Sequence, residues 1–200
     1  MSCQVQKKRG AEDDLEAASS RARTGATRPN ILVTGTPGVG KTAVSKALAE
    51  RLAMEHVGVS ALAASLGAHE EWDEARACHV LDEDAVLDAM EPKLGKGGCV
   101  VEYHACELFP ERWFDLVLVL RASTETLFDR LKKRDYADEK LQENLQCEIM
   151  QVILEEARES YAQEIVVELA NETPRDIVAT TDRVATWHAA WLANNASKHE

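Results

Sequence analysis

The chain lacks long hydrophobic runs and has no excess of positive charge. No apolar stretch approaches the roughly 20 residues that a membrane helix needs, and the segment after Met1 has no hydrophobic signal-peptide core. Lysine and arginine number 23 against 35 aspartates and glutamates, which gives a formal net charge of −12. Because nucleic-acid affinity depends on basic side chains, this balance argues against an extended nucleic-acid surface. We expect a protein that is neither membrane-bound nor secreted.

Cysteine is sparse, and its arrangement argues against two further classes of protein. The 5 cysteines are odd in number and form no C-x-x-C pair. A disulfide framework or a structural zinc site would show paired spacing. We therefore expect reduced thiols and a location in the cytosol or the nucleus.

The clearest feature that is present is a glycine-rich motif between an apolar run and an amphipathic segment. Residues 35–42 read Gly-Thr-Pro-Gly-Val-Gly-Lys-Thr and follow the short apolar run 30–34. Val44, Leu48 and Leu52 then recur at helical spacing. This order of strand, glycine loop and helix is typical of a P-loop that cradles phosphate groups.

The residue types of this motif have physical reasons. Glycines let successive backbone N–H groups point into one concavity, and the following helix adds its own unpaired N–H groups and positive dipole end. The Lys41 ammonium can reach the β- and γ-phosphates of a nucleotide, and the Thr42 hydroxyl can ligate Mg²⁺. The motif therefore predicts a nucleotide and magnesium site.

Further apolar runs alternate with helical patterns along the chain. Candidate strands lie at residues 56–59, 99–103, 115–120 and 165–169, in addition to the run at 30–34. Continuous apolar strands separated by helices are typical of a parallel sheet covered on both faces. The sequence therefore predicts an α/β fold with a five-stranded parallel sheet.

The two ends of the chain differ in composition from this domain. Residues 1–28 offer little apolar surface to bury and are predicted to be disordered, residues 29–194 form the domain, and residues 195–200 form a loose tail. The basic residues 7–9 could serve as a nuclear address or as a solvated tail. Trp187 and Trp191 are interpreted as core residues rather than a platform for a nucleobase.

Several residues outside the loop could also carry chemistry. Arg121, Arg130 and Arg134 lie on or beside one predicted helix, where they could face a polyphosphate from a lid or form a solvated basic surface. Glu102, at the end of a predicted strand, could hold Mg²⁺-bound water or face solvent. His104 could orient a water molecule or a phosphate, or be structural.

These residues together resemble a known family. The order of motifs is similar to that of the adenylate kinase isoenzyme 6 family of nuclear adenylate kinases and ATPases, also called Fap7 or CINAP proteins. The resemblance covers about residues 29–191. It rests on the P-loop and on Leu81-Asp-Glu-Asp84, Tyr103-His104, Phe109-Pro-Glu-Arg-Trp113, Arg134-x-Tyr136 and Gln146-Cys-Glu-Ile149.

The resemblance implies a three-layer P-loop nucleoside-monophosphate-kinase fold, with a short NMP-binding segment at 58–81 and a short lid at 133–143. It implies Mg²⁺-dependent transfer of the ATP γ-phosphate to AMP, alongside ATPase activity. It also implies a role in maturation of the small ribosomal subunit in the nucleus and cytoplasm, with the ribosomal protein uS11 and the pre-40S particle as partners. The alternatives are an ATP-switched ribosome assembly factor with little true kinase activity, and a kinase for another small substrate.

The family's functional residues can be carried over to matching positions. The catalytic candidates are Lys41, Arg130, Arg134, Glu102 and His104. The Mg²⁺ candidates are Thr42 and Glu102, acting through water. The residues implied to bind ATP are Gly38, Val39, Gly40, Lys41, Thr42, Ala43 and Arg134.

The chain departs from the family pattern mainly in the acceptor segment. Glu102 stands where the family's Asp-x-His motif has aspartate, and Ala43 replaces a second hydroxyl after Thr42. Relatives carry glycine, aspartate and arginine where this chain has Ser60, Ala61 and Ala64. Loss of an arginine contact to a phosphate costs about 1.5–3 kcal/mol of binding energy. Arg76 or Arg112 could supply a replacement.

Overall fold

A five-stranded parallel sheet forms the centre of the molecule. The computed structural model describes residues 15–16, 18–19, 27–73 and 78–196. The sheet strands are β1 (Ile31–Thr34), β2 (Glu55–Gly58), β5 (Cys99–Glu102), β6 (Leu116–Arg121) and β7 (Val166–Ala170), in the spatial order β2-β5-β1-β6-β7. All four pairings are parallel, and Leu32 of β1 lies between Val101 and Val117. The predicted sheet is therefore confirmed.

Helices cover both faces of this sheet. They are α1 (Lys41–Leu52), α2 (Val59–Leu66), α3 (Glu83–Lys96), α4 (Thr124–Lys132), α5 (Asp138–Ile149), α6 (Val152–Ser160) and α7 (Pro174–Ala196). Successive β1 residues point to opposite faces, so Ile31 and Val33 pack in one apolar cluster and Leu32 in the other. The first cluster takes side chains from α1, α4, α5 and α7, and the second takes them from α2, α3 and α6. The three-layer architecture is confirmed.

The proposed NMP-binding segment, residues 58–81, forms a small unit beside the sheet. It contains α2 and an antiparallel pair of strands, β3 (His69–Asp73) and β4 (Cys78–Leu81). Residues 74–77, including Arg76, lie outside the described residues. The proposed lid, residues 133–143, consists of a turn at 133–137 and the beginning of α5.

Some residues of both predicted tails are helical. Most of residues 1–28 lies outside the described residues, but residues 15, 16, 18 and 19 are helical. Leu15 and Ala18 are buried in the cluster that contains Trp187 and Trp191, so both tryptophans belong to the core. At the other end, α7 continues to Ala196, and residues 197–200 lie outside the described residues.

The topology places the glycine loop at the carboxyl edge of the sheet. β1 leads into the loop, and its neighbours β5 and β6 run parallel to it, so all three strands end at this edge. Open α/β sheets bind ligands at such an edge. Among the described residues, no helix has the length and hydropathy required to cross a membrane.

Candidate nucleotide-binding site

The loop between β1 and α1 has the backbone geometry that the sequence predicts. Gly35, Gly38 and Gly40 have φ angles of 137°, 101° and 102°, in the left-handed region that favours glycine. A β-carbon on Gly38 would lie 2.7 Å from a methyl group of Leu127. Gly40 precedes α1 without a side-chain cap, so the first N–H groups of α1 are left for an anion.

The side chain of Lys41 lies folded against the loop. Its Nζ donates to the carbonyl oxygens of Gly35 at 2.7 Å and Thr36 at 3.1 Å. The pKa of Lys41 is lowered from 10.5 to about 8, chiefly by burial; the charge of Glu102 opposes this shift and that of Arg134 adds to it. The hydrogen bonds place the ammonium against the loop. A phosphate bound in the loop would raise the pKa of Lys41 and favour its charged form.

Glu102 and Thr42 meet at the end of β5. The Thr42 hydroxyl donates to one carboxylate oxygen of Glu102. The other oxygen accepts from the Ser45 hydroxyl at 3.1 Å and lies 3.2 Å from His56 Nε2. Side chains from α1 and β2 thus hold the Glu102 carboxylate. The carboxylate faces these side chains, which does not fit the other interpretation of Glu102 as an edge residue that faces solvent. Hydroxyl and carboxylate oxygens are ligands that Mg²⁺ prefers, so these residues fit a magnesium site.

His104 lies two residues beyond β5, next to the same site. Burial lowers its pKa, and the charge of Lys41 lowers it further. Its backbone carbonyl accepts from the Thr34 hydroxyl at 3.3 Å, and its ring lies 4.4 Å from that of Tyr103. At neutral pH the imidazole is therefore uncharged and can orient a polar group without adding charge.

The three arginine candidates occupy different environments. Arg121 donates from Nε to the carboxylate of the buried Glu148 at 2.5 Å and from another nitrogen to Glu168 at 3.2 Å, so this guanidinium is engaged in partly buried ion pairs. Arg130 donates to the carbonyl oxygens of Val39 at 3.1 Å and Glu172 at 2.8 Å. Arg134 lies just past the end of α4 and lines a cavity together with Arg130.

Two cavities border the loop and the first turn of α1. The larger, of about 620 Å³, is lined by Lys41, Thr42, Lys46, His56, Lys93, Glu102, Tyr103, His104 and residues 57–62 and 65. The smaller, of about 360 Å³, is lined by Gly38, Gly40, Ala43, Arg130, Lys133, Arg134, Asn171, Thr173, Pro174 and Ile177. Neighbouring residues of the loop and α1 therefore border two spaces, which could hold two ligands close to each other.

The acceptor-side departures map onto the larger cavity. Ser60 and Ala61 line it, and the whole of α2 reads VSALAASL, without a charged residue. Ala64 lies on the exposed side of α2. Arg112 pairs with Glu91 at 3.4 Å and is not among the described residues that line this cavity. The cations at this cavity are instead lysines, namely Lys41, Lys46 and Lys93.

Four contributing residues were missed by sequence reasoning. Ser45 and His56 contact Glu102, Asn171 donates to the Val39 carbonyl at 2.7 Å, and Glu148 accepts from the Thr36 hydroxyl at 2.5 Å. Glu148 lies in the motif Gln146 to Ile149. The available signal is its spacing, since it falls three residues after Leu145 and seven after Leu141, on the apolar side of the helix, and the structure buries it to 3% exposure.

Comparison with known proteins identifies the family. Residues 31–151, more than half of the chain, match a family model described as an AAA domain. An adenylate kinase isoenzyme 6 homolog from Dictyostelium discoideum is 49% identical over 168 residues, which is 84% of this chain and 96% of the relative. The chain belongs to the adenylate kinase isoenzyme 6 family. Its expected family membership is thereby confirmed.

Further relatives support the family, and a solved structure supports the fold. The homolog from Drosophila melanogaster is 47% identical across 82% of this chain and 94% of its own length. The homolog FAP7 from Saccharomyces cerevisiae is 43% identical across 82% of this chain and 84% of its own length. A gluconokinase from Sinorhizobium meliloti shares the fold, with a TM-score of 0.53 and 20% identity across 80% of this chain and 95% of its own. This family member is a nucleotide kinase-like enzyme with a P-loop.

Proposed function

We propose that this protein is a Mg²⁺-dependent adenylate kinase that transfers the γ-phosphate of ATP to AMP, with ATPase activity in the absence of an acceptor. The observation that carries the proposal is that the loop and the start of α1 border two cavities, the smaller through Gly38, Gly40 and Ala43 and the larger through Lys41 and Thr42. ATP would occupy the smaller cavity with its phosphates in the loop, and AMP would occupy the larger one. The reacting phosphates would then meet at Lys41.

The transfer forms one bond and breaks one. An oxygen of the AMP phosphate attacks the γ-phosphorus, and the bond from that phosphorus to the β–γ bridging oxygen breaks, so two ADP molecules result. Negative charge spreads over the transferred group, which Lys41 is placed to stabilise. Arg134 lines the smaller cavity, which we call the donor cavity because it would hold ATP, and would add a second cation. Thr42 and Glu102 would hold Mg²⁺, which when bound neutralises charge on the β- and γ-phosphates.

The charges of the larger cavity favour an anionic acceptor. Lys46 lines it from α1 and Lys93 from α3, where Lys93 also pairs with Glu55 at 2.6 Å. The part of its lining that α2 contributes has neutral side chains. A nucleoside monophosphate has a phosphate, which the lysines could bind, and a flat, weakly polar base, which could pack against the neutral side chains of α2. AMP is the acceptor that the names of the relatives suggest.

The decisive experiment measures ADP formed from ATP with and without AMP. We expect ADP formation to rise strongly when AMP is added, with two ADP formed for each ATP consumed. A rate that does not depend on AMP would refute adenylate kinase activity and leave an ATPase. A screen of other nucleoside monophosphates would identify a different acceptor.

The second candidate function is an ATP-switched assembly factor for the small ribosomal subunit, acting in the nucleus and cytoplasm. The observation that favours it is a row of exposed apolar side chains where α5 meets α6. Ile149 is 55%, Met150 62% and Val152 38% exposed, and partner surfaces often contain such patches. The family resemblance implies uS11 in the pre-40S particle as the partner. If purified uS11 binds neither the nucleotide-free nor the ATP-bound protein, this candidate fails.

A further inference from the structure

The outer side of the phosphate loop is held by two side chains from distant parts of the chain. Arg130 of α4 donates to the Val39 carbonyl at 3.1 Å, and Asn171, which follows β7, donates to the same oxygen at 2.7 Å. A carbonyl oxygen has two lone pairs and can accept both bonds. We call Arg130 and Asn171 the loop clamp.

Both members of the loop clamp are themselves fixed. Asn171 is 2% exposed, and its backbone N–H donates to the Arg121 carbonyl at 2.8 Å. Arg130 uses its second nitrogen to donate to the Glu172 carbonyl at 2.8 Å. A β-carbon on Gly40 would overlap the Asn171 amide, so glycine is needed there for packing as well as for its φ angle. The clamp therefore belongs to the rigid fold rather than to a free surface.

Both donors of the loop clamp converge on one peptide unit, and the Arg130 nitrogen also makes a longer contact of 3.5 Å with the Gly38 carbonyl. The carbonyl of Val39 and the N–H of Gly40 lie in the same planar unit and point in opposite directions. Donors that hold the carbonyl on the outside therefore turn the Gly40 N–H towards the inside of the loop. An N–H group fixed in this way needs no reorganisation when an anion binds.

We propose that Arg130 and Asn171 are positioning residues that orient the Gly40 N–H for the nucleotide phosphates, and that Arg130 does not act on the transferring phosphate. This assigns Arg130 a different role from Arg134, although both line the donor cavity. The inference rests on the proposed function only in taking a nucleotide polyphosphate as the ligand of the loop.

The test measures dissociation constants of ATP, ADP and inorganic tripolyphosphate by calorimetry. We expect Asn171→Ala to weaken all three by a similar factor, about five- to tenfold, as the loss of one buried hydrogen bond predicts. The KM for AMP should not change. Asn194→Ala is the matched control, because it also removes an amide that donates to a backbone carbonyl, that of Ser19, at the far end of α7. That variant should bind all three ligands as the wild type does.

Arg130→Lys separates positioning from charge. Lysine keeps the positive charge but cannot donate from one rigid fork to two carbonyls, those of Val39 and Glu172. We expect this variant to lose tripolyphosphate affinity by about tenfold. Wild-type affinity together with a lowered kcat would assign Arg130 to the transferring phosphate and overturn the proposal.

A spectroscopic signature checks the mechanism without any ligand. In the free protein, Asn171→Ala should shift the amide resonance of Gly40, while Asn194→Ala should leave it in place. An unshifted Gly40 resonance, or a loss of ATP affinity without a loss of tripolyphosphate affinity, would show that Asn171 contacts the base instead. Because these readouts are binding and structure, they remain decisive if the wild type binds ATP but fails to transfer phosphate to AMP.

Discussion

Replacing Lys41 with methionine should make the protein more stable and inactive. The ammonium of Lys41 is largely withdrawn from water, and its pKa is lowered from 10.5 to about 8, with burial as the largest cause. At about 1.4 kcal/mol for each pKa unit, this difference corresponds to roughly 3 kcal/mol by which charging disfavours the folded state at neutral pH. Methionine is also long and unbranched and carries no charge, so it can occupy the same space.

Lost hydrogen bonds offset part of this gain in stability. Nζ donates to the carbonyls of Gly35 and Thr36, and both would lose a donor in the variant. Each lost hydrogen bond costs about 1 kcal/mol. We therefore expect Lys41→Met to raise the free energy of unfolding by about 1 kcal/mol at pH 7, whereas Lys96→Met on the exposed side of α3 should change it by less than about 0.5 kcal/mol.

The pH dependence of the difference tests the reasoning more sharply. Between pH 8 and 10.5 the unfolded wild-type chain binds a proton at Lys41 that the folded chain has lost, so its free energy of unfolding rises with pH. The variant lacks this contribution, and its advantage over the wild type should shrink as the pH rises through this window. Urea titrations at pH 7 and pH 10 would measure both values. A variant that is less stable at pH 7, or a difference that does not change with pH, would refute the argument.

The activity of the same variant tests the role of the charge. Removing a cation from a developing phosphate charge lowers kcat by about 10²- to 10³-fold. Lys41→Met should therefore form ADP at no more than about 1% of the wild-type rate in the coupled ATP and AMP assay. Unchanged phosphoryl transfer would mean that Lys41 has no part in the reaction.

Three further substitutions test separate parts of the site. Glu148→Gln removes one of the two carboxylates that pair with the partly buried Arg121, the other being that of Glu168. It should cost about 1.5–3 kcal/mol of stability by urea titration, as the loss of a charged hydrogen-bond partner predicts, whereas Glu155→Gln, in an exposed pair, should cost less than about 1 kcal/mol. Lys46→Met should raise the KM for AMP about tenfold without changing ATP affinity, and Lys46→Arg should restore it, because the lysine lines only the larger cavity. Glu102→Gln should raise the Mg²⁺ concentration needed for half-maximal activity, since the amide oxygen is a weaker magnesium ligand than the carboxylate. An unchanged Mg²⁺ requirement would exclude Glu102 from the metal site.

The parts of the fold that could be predicted are those whose signal is local. The strand, loop and helix of the phosphate site lie within residues 30–52, and the glycine positions follow from the backbone conformation of the loop. The remaining strands are recognisable in the sequence as apolar runs, because both faces of the sheet are covered. The pattern predicts the exact ends of the strands less well than their presence. The second strand ends at Gly58 rather than Val59, because Val59 begins α2.

The parts that could not be predicted depend on contacts between distant residues. Asn171 is 132 residues from Val39, and Glu148 is 112 residues from Thr36. Nothing in the neighbourhood of either residue indicates which carbonyl or hydroxyl it will meet. Leu15 shows the same limit in the tail, since its burial depends on contact with a core cluster that includes α7.

The distribution of these distant contacts also distinguishes the two halves of the site. The phosphate loop is held by Arg130, Asn171 and Glu148, which come from three separate elements, so its shape is set before any ligand arrives. The α2 wall of the acceptor cavity has short neutral side chains, and Ser65 donates within α2 itself, to the Leu62 carbonyl at 2.7 Å. Pre-organisation by the fold therefore favours nucleotide binding at the loop, while acceptor recognition depends on lysines with flexible stems. A Lys46 variant should consequently alter acceptor choice more than it alters stability.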